Sequence, residues 1–403
     1  MQTAARNKSE GAASGKIWNA AFISIFIANA MMNLGQQMVN TLIAKYADYL
    51  GAAATAVGLL AGLFSATALF FKLFSGPAMD SFSRKKLLMG AMALMAFCYI
   101  GFGISSSMPM LMFFRLLEGT ARAFTATGCL AIASDTLPAE KFGSGIGIFS
   151  LAQGACQAIG PTIGLTIYRY IGYNNTFFLA AFCVALGVIA TGLAKIEEKE
   201  HKQFKITLSG VAAIEAIIPA ILLFLFVGTY FTVSSFIAIY GTDMGVVNIG
   251  LYFTVYACVM LVSRPIVGKL SDKFGVVKVM IPAAICFALS LFLISIATSL
   301  PMFLVAAAIA AFGYGTALPT LQALAMKCVP SARRGAASNM AYIGQDLGNL
   351  AGPVAAGFVV EALGYRLMWK FMMLPMAAVL VLLLVWNGKI RTIESDFQAR
   401  GNS

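Results

Sequence analysis

Three charged side chains share one apolar segment of the sequence. Arg115, Glu118 and Arg122 stand at positions i, i+3 and i+7 within residues 109–136. This spacing places them on one face of a helix, with the carboxylate within reach of both bases. A carboxylate in such surroundings binds or releases a proton according to its burial and its neighbours. The segment predicts either a proton-exchanging site or a static group of paired charges.

Asp346 is a second carboxylate in apolar surroundings. It lies about eleven residues into the segment 335–361, which is roughly 16 Å along a helix. No base of the same half of the chain lies at a similar depth, so we expect Asp346 to be protonated or to face water or substrate. We take Glu118, with Arg115 and Arg122 beside it, as the first candidate for exchanging a coupling proton. Asp346 is the second candidate.

Two further bases lie within apolar segments. Lys72 and Arg264 are each about two helical turns from one end of their segment. Long basic side chains reach water from such positions while their stems stay in apolar surroundings. We therefore expect both residues to be mainly structural.

Uncharged polar residues form stripes at helical spacing. Interhelical hydrogen bonding is one explanation for each stripe, and the wall of a polar, substrate-binding cavity is the other. Because several stripes occur on different segments, we favour the cavity. The residues concerned are Asn29, Asn33, Gln36 and Asn40 in the first segment, Gln153 and Gln157 in the fifth, and Tyr342, Gln345 and Asn349 beside Asp346 in the eleventh.

The segments that carry these residues are long enough to cross a membrane. The chain has 403 residues, of which 60% are hydrophobic and 11% charged, whereas soluble domains have about 25% charged residues. A helix needs about 20 apolar residues to span the hydrocarbon core. The sequence predicts an all-α membrane protein with twelve transmembrane helices, at 17–44, 53–79, 86–105, 109–136, 141–168, 175–194, 216–240, 248–270, 277–298, 302–327, 335–361 and 367–387.

The positions of lysine and arginine indicate the orientation. Twenty of these residues fall in the termini and the even-numbered connections, and four fall on the opposite face. Cytoplasmic loops carry the excess of bases, so we expect a multi-pass protein of the cell membrane with both termini in the cytoplasm. No cysteine spacing suits a metal, and the one histidine, His201, lies in a polar loop. We expect no metal and no cofactor.

The sequence repeats itself across a polar linker. Residues 195–215 form the predicted cytoplasmic linker between an N-terminal half, 1–194, and a C-terminal half, 216–403. A shift of 192 residues places Lys72 on Arg264 and, at the other end of the match, Tyr173 on Tyr365. Such a repeat predicts two parallel six-helix bundles related by an axis along the membrane normal.

A loop motif carries a resemblance to a known family. The loop from Gly76 through Asp80 to Arg84 resembles the G-x-x-x-D-R-x-G-R-[RK] signature of the major facilitator superfamily, and Gly268 and Asp272 repeat it. Ser81 and Ser83 depart from the pattern in the first copy. The resemblance implies the major facilitator fold, in two pseudo-symmetric bundles. It also suggests a conformational latch between the bundles in which Arg84 reaches Asp135; the alternative is that the bases only hold the loop in the cytoplasm.

Two more segments resemble motifs of the same superfamily. Residues 115–123 look like R-x-x-Q-G-x-x-x-A, with Glu118 in place of the usual Gln. The fifth segment resembles the glycine-rich motif of the antiporters, although Cys156 and Leu165 depart from it. The resemblance implies that small residues let helices of opposite halves approach and rock. The expected packing residues are Gly147, Gly160, Pro161 and Gly164, with Gly352 and Pro353 in the repeat.

Together these features predict a secondary active transporter, most like the drug and metabolite proton antiporters of the superfamily. We expect it to export a small organic molecule in exchange for protons, as a monomer in the bilayer and without a nucleic-acid partner. Uptake by symport or facilitated diffusion would use the same fold. A membrane enzyme is disfavoured because the sequence has no HExxH or GxSxG motif. A sensor that transports nothing gives no reason for buried Glu118 and Asp346.

The orientation can be tested by labelling. In intact cells, a membrane-impermeant thiol reagent should modify an Asp48→Cys variant, because Asp48 follows the first segment on the predicted outer side. A Lys199→Cys variant should react only after the membrane is permeabilised. The reverse pattern would contradict the predicted orientation.

Overall fold

Helices account for every regular element in the part of the chain that the structure describes. The structure is a computed structural model, and it describes residues 17–137, 142–194, 196, 213–330 and 333–401. The helices are α1 (Ala20–Tyr49), α2 (Ala54–Ser81), α3 (Arg84–Ile104), α4 (Met108–Thr136), α5 (Phe142–Leu193), α6 (Ile217–Asp243), α7 (Leu251–Phe274), α8 (Val276–Ile296), α9 (Leu300–Lys327), α10 (Arg334–Phe371), α11 (Met373–Val385) and α12 (Asn387–Gly401), with a 3-10 turn at Ile214–Ala216.

Two of the helices are long enough to cross a membrane twice. Helix α5 bends at Gly172, where φ is 79°, and α10 bends at Gly364, also with φ 79°. Only glycine adopts this backbone conformation at little cost. The two kinks are 192 residues apart, so the structure repeats at the spacing that the sequence predicts. The twelve predicted spans are obtained when α5 and α10 are each counted as two spans. Helix α11 then forms the end of the second span of α10.

Not all of these spans are uniformly apolar. In the described residues, seven helical stretches are long and apolar enough to cross a membrane, including Ala152–Leu193 and Ala336–Val385 with two crossings each. The other three spans are α1, α4 and α7. Helix α1 carries the amide stripe, and α4 carries Arg115, Glu118 and Arg122. These polar side chains make α1 and α4 less apolar, and α7 contributes a shorter apolar stretch at Leu251–Ser263 within the described residues.

The helices pack into two groups. Within the first, α1 packs on α5 and α3 packs on α4 and α5; within the second, α6 packs on α10 and α8 packs on α9. A Cβ atom added at Gly160 would lie 2.6 Å from Gln37 Cβ, and one at Gly352 would lie 2.1 Å from Gly228 O. These glycines therefore bring together helices of the same group. The expectation that they join opposite halves is wrong.

Other glycines bring the two groups together. A Cβ atom at Gly58 of α2 would lie 2.3 Å from the carbonyl oxygen of Pro353 in α10, and one at Gly62 would lie 2.9 Å from Leu350 O. On α10, a Cβ atom at Gly357 would lie 2.5 Å from Ala54 O. Helices α2 and α10 thus touch backbone to backbone, which only glycine allows.

One short helix lies beyond the last predicted span. Helix α12 is polar, unlike the apolar α11 before it. Its Glu394 Oε1 accepts a hydrogen bond of 3.1 Å from the backbone N–H of Val276. A carboxylate at this position satisfies an otherwise unpaired donor of the first turn of α8. The C-terminal helix is thereby fixed to the second group.

The close contact of α2 with α10 predicts a steric effect. Gly58→Ala should lower the thermal unfolding midpoint of the purified protein, because the added methyl group clashes with the Pro353 carbonyl oxygen and overpacking costs about 1–3 kcal/mol. Gly90→Ala is the matched control, since a Cβ atom there meets nothing within 4 Å. An equal midpoint for both variants would show that the contact is loose.

Candidate functional site

An ion pair joins the two groups of helices. Lys72 Nζ of α2 lies 2.5 Å from Asp346 Oδ2 of α10, and the side chains are 32% and 16% exposed. The same ammonium lies 5.5 Å from the centre of the Tyr342 ring. The two residues are 274 positions apart in sequence. Both side chains remain partly accessible.

This pair corrects two expectations. From the sequence we expect Asp346 to be protonated or to face water or substrate, and Lys72 to reach water near the membrane surface; instead, the two side chains form an ion pair. The prediction for Asp346 considered only bases of its own half, whereas the partner comes from the other half. The ammonium lies with the carboxylate because pairing lowers the cost of keeping either charge in apolar surroundings. The one signal in the sequence is that both charges lie inside spans, at comparable distances from the same face.

Glu118 forms a different kind of pair. Its Oε2 lies 2.6 Å from Arg115 Nη1, and the side chains are 0% and 4% exposed. The guanidinium of Arg115 also donates to Leu60 O at 3.3 Å and lies 4.5 Å from the centre of the Phe64 ring. Both residues therefore lie inside the first group, away from water. A buried pair of this kind is held by its surroundings as much as by its own attraction.

Arg122 does not join the pair formed by Arg115 and Glu118. The expected contact of Glu118 with both bases is therefore only half present. Among the described residues, Arg122 Nη1 is buried and has no hydrogen-bond partner, and neither does Glu118 Oε1. The i, i+3 neighbours meet directly, whereas Arg122 stands one turn further along α4. Without a direct bond, Arg122 still lies close enough to Glu118 and to Asp346 to interact with both electrostatically.

The amide stripe of α1 is buried. Asn29, Asn33 and Gln36 are 4%, 3% and 4% exposed. Asn33 Nδ2 donates to Asn29 O at 2.7 Å and to Asn29 Oδ1 at 2.8 Å. Asn40, which is half-buried, accepts from Arg115 Nη2 at 3.2 Å. In this conformation Asn29, Asn33 and Gln36 are buried among the helices, and a substrate-binding role for the stripe stays a prediction.

The other predicted polar residues are more accessible. Tyr342 is 45% exposed and lies beside the Lys72 ammonium. Gln157 is exposed, and Gln153 and Gln345 are half-buried. Asn349 is 8% exposed and thus buried. The structure brings Tyr342 together with the pair of Lys72 and Asp346; a substrate-binding role for any of these residues stays a prediction.

The expected contact of Arg84 with Asp135 is present. Arg84 Nη1 lies 2.5 Å from Asp135 Oδ2, and Arg84 Nε donates to Met79 O at 3.0 Å. Both residues belong to the first group, so this ion pair does not connect the two groups as expected. The remaining residues of the motifs, whose side chains lie outside the described part of the structure, are Gly76, Asp80, Gly147, Gly268 and Asp272.

A set of polar contacts closes one face between the groups. We call the face where α1 begins the terminal face and the opposite one the far face. On the far face, Lys45 Nζ donates to Thr242 Oγ1, and Arg169 Nη1 donates to Asn248 Oδ1 at 2.6 Å. Nearer the terminal face, Arg84 pairs with Asp135 inside the first group and Arg333 pairs with Glu215 inside the second, while Lys72 and Asp346 join the groups between these pairs and the far face. The groups are thus tied together on the far face.

No metal-binding arrangement occurs at these sites. Across the described residues, no three His, Cys, Asp or Glu side chains are grouped so that they could hold a metal ion. The charged groups available for chemistry are therefore the two carboxylates and the bases beside them.

Comparison with known sequences identifies the family. The sequence profile of the Major Facilitator Superfamily matches residues 25–247 and 220–399. The chain belongs to this family and is a multi-pass membrane transporter, not an enzyme. The multi-drug resistance efflux pump PmrA of Streptococcus pneumoniae is 27% identical over 341 residues, which are 80% of this chain and 84% of that protein. The staphylopine export protein of Staphylococcus aureus is 20% identical over 381 residues, 90% and 94% of the two chains.

Solved structures support the fold. The nucleoside transporter NupG has a TM-score of 0.74 at 12% identity, covering 91% of this chain and 98% of that one. A bacterial homologue of the human lysosomal transporter Spinster, solved in an inward-facing and unoccupied conformation, has a TM-score of 0.74 at 15% identity and covers 96% and 98%. At these identities the likeness defines the fold and leaves the substrate open.

The buried pair of α4 predicts an asymmetric mutational effect. Arg115→Leu should destabilise the protein by about 3–5 kcal/mol, because it leaves the Glu118 charge buried without its partner. Adding Glu118→Leu to that variant should restore most of the stability, since no charge then remains to be paired. Thermal unfolding of the purified single and double variants measures both effects. A double variant as unstable as Arg115→Leu alone would contradict this account.

Proposed function

We propose that this transporter exports a small organic molecule in exchange for protons, by alternating access of a central site to the two sides of the membrane. The observation that carries the proposal is the ion pair of Lys72 with Asp346 between the two groups of helices. The names of the relatives, a multi-drug efflux pump and an export protein, support the direction of transport. We propose that a single chain is the working unit.

Asp346 is the proposed coupling residue. A proton and the Lys72 ammonium compete for the same carboxylate, because a protonated acid carries no charge to attract a base. Binding of a proton therefore breaks an ion pair that joins the two groups, and its release restores that pair. Such an exchange ties the protonation state to the relative position of the groups. A substrate that displaces the ammonium acts on the same pair.

The contacts between the groups support a state open to the cytoplasm. The excess of Lys and Arg in the termini and the even-numbered connections makes the terminal face the proposed cytoplasmic face. The ties of Lys45 to Thr242 and of Arg169 to Asn248 then close the extracellular side. In this state the partly exposed pair of Lys72 and Asp346 is the proposed meeting point for substrate from the cytoplasm.

Glu118 is the rival carboxylate. It is fully buried and bonded to Arg115, so a proton reaches it only if the first group opens. We therefore assign it a structural role in this proposal and rank it below Asp346, the reverse of the order suggested by its sequence motif. Tyr342, Gln345, Gln153 and Gln157 remain the proposed contacts for the substrate, since they keep some exposure.

The pair of Arg84 and Asp135 is a proposed part of the latch. It fixes the start of α3 to the end of α4, so the loop between α2 and α3 has a defined position. Asp80 and Asp272 would then contact the facing group when the cytoplasmic side closes. The alternative, in which the bases only anchor the loop, predicts no change of conformational balance in an Asp80→Asn variant.

Transport in everted membrane vesicles tests the coupling residue. Asp346→Asn should abolish uptake driven by a gradient that is acidic inside the vesicles, with ethidium and a panel of other amphipathic dyes as probes, because an amide neither binds nor releases a proton near neutral pH. Exchange of the same dye at equal concentration without a gradient should continue. Glu118→Gln, the matched control, should keep gradient-driven uptake.

Two results would contradict the proposal. If Asp346→Asn still concentrates a dye that the wild type concentrates, the coupling proton is carried elsewhere. If Glu118→Gln loses uphill transport but keeps exchange, the role belongs to Glu118. Uptake driven by the opposite proton gradient in the wild type would indicate symport in place of export.

A further inference from the structure

An open groove lies between α3 and α4, and its lining includes neither Lys72 nor Asp346. It encloses about 590 Å³, a volume in the range of ligand-binding pockets (roughly 300–1,000 Å³). Its described wall is mainly apolar and includes no carboxylate; from α3 it takes Leu87, Gly90, Ala91 and Leu94, and from α4 it takes Thr120, Ala121 and Phe124. Phe82, Ser83 and Lys86 lie at one end.

The groove faces the lipid. On α3, the exposed residues Gly90, Phe97 and Ile104 follow one another at helical spacing along the same side. On α4, the exposed Phe113 and Leu116 lie on the same side of the helix as Thr120, which lines the groove. These stripes point away from the buried face that carries Arg115 and Glu118. The groove is therefore filled by part of the membrane and not by the solution.

Its dimensions match a lipid chain in one leaflet. From Lys86 to Leu94 the groove follows α3 for eight residues, which is about 12 Å. Half of the hydrocarbon core measures about 15 Å. The groove thus extends from the edge of the hydrocarbon to near the middle of the bilayer. A Cβ atom at Gly90 would meet nothing within 4 Å, so the space in front of this residue is open.

Lys86 supplies the charge at the end of the groove near the membrane surface, and this charge determines which lipid headgroup binds there. Lys86 is exposed, and within the described residues it takes part in no ion pair. Its neighbour Lys85, by contrast, is bonded to the carbonyl oxygens of Gly192 and Ala194 at 2.7 and 2.8 Å. An ammonium at the membrane surface attracts anionic lipid. We infer that the groove binds an anionic phospholipid of the cytoplasmic leaflet, with an acyl chain between α3 and α4 and the phosphate on Lys86.

The site borders the loop between α2 and α3. Lys86 is two residues from Arg84, which is paired with Asp135. A bound lipid therefore packs against the segment that fixes this loop, and the lipid composition of the leaflet acts on a moving part of the transporter. The assignment of the leaflet rests on the proposed orientation, whereas binding itself does not depend on proton coupling.

Photo-crosslinking in proteoliposomes tests the site. The probe is phosphatidylglycerol with a diazirine in its acyl chain, compared with phosphatidylcholine carrying the same chain, and the labelled peptides are mapped by mass spectrometry. Phosphatidylglycerol should label the peptides of α3 and α4 around Gly90 and Phe124 preferentially. Lys86→Gln should reduce this labelling about fivefold, whereas Lys86→Arg and the surface control Lys389→Gln should not.

A second pair of variants tests the chain position. Gly90→Phe places a ring in the groove, starting from a position where a Cβ atom meets nothing within 4 Å, and should abolish the labelling, while Gly90→Ala should keep it. Each variant is compared by size-exclusion profile and thermal unfolding, so that misfolding is recognised. Equal labelling by both lipids, or labelling that persists in Gly90→Phe, would overturn the inference. Neither outcome bears on whether Asp346 carries a proton.

Discussion

A charge inside the hydrocarbon needs a partner, and this requirement shapes the interior of the protein. Lys72 and Asp346 meet it by pairing across the two groups of helices, and Arg115 and Glu118 meet it inside one group. The two pairs differ in exposure: Lys72 and Asp346 are partly exposed, whereas Arg115 and Glu118 are buried. In the proposed mechanism, proton, ammonium and substrate compete at the exposed pair.

The backbone contact of α2 with α10 is proposed to let the two helices move when the ion pair of Lys72 and Asp346 breaks. Gly58, Gly62 and Gly357 let the two helices touch over their far-face halves, while Lys72 and Asp346 hold them nearer the terminal face. The glycine contact joins the two backbones directly, with the Leu350 and Val354 side chains beside Gly62. The ion pair is therefore the part of this interface whose strength depends on protonation. In the proposed mechanism, protonation of this one carboxylate therefore acts on the position of a whole group.

Much of the fold could be predicted because the bilayer allows few backbone structures to cross it. The predicted segments 53–79 and 86–105 correspond to α2 (Ala54–Ser81) and α3 (Arg84–Ile104). The repeat predicted from sequence recurs in the kinks at Gly172 and Gly364. Apolar length and internal repetition are properties of the sequence itself, so they needed no knowledge of the packing.

Contacts within the site could be predicted only for residues that are close in sequence or that belong to the same family motif. The contacts of Arg115 with Glu118 and of Arg84 with Asp135 belong to this kind. The partner of Asp346 lies 274 residues away, and helical spacing cannot indicate which helix of the other half faces it. Spacing alone also could not decide whether the amides of α1 face a cavity or a neighbouring helix.

The central claim is that protonation of Asp346 changes how the two groups are arranged. The most direct test measures the distance between spin labels on the terminal face of the two groups, in purified protein without substrate, as the pH is lowered through the acidic range. The account predicts a pH-dependent shift of the distance distribution in the wild type and in Glu118→Gln, and none in Asp346→Asn. The same shift in Asp346→Asn as in the wild type would contradict it.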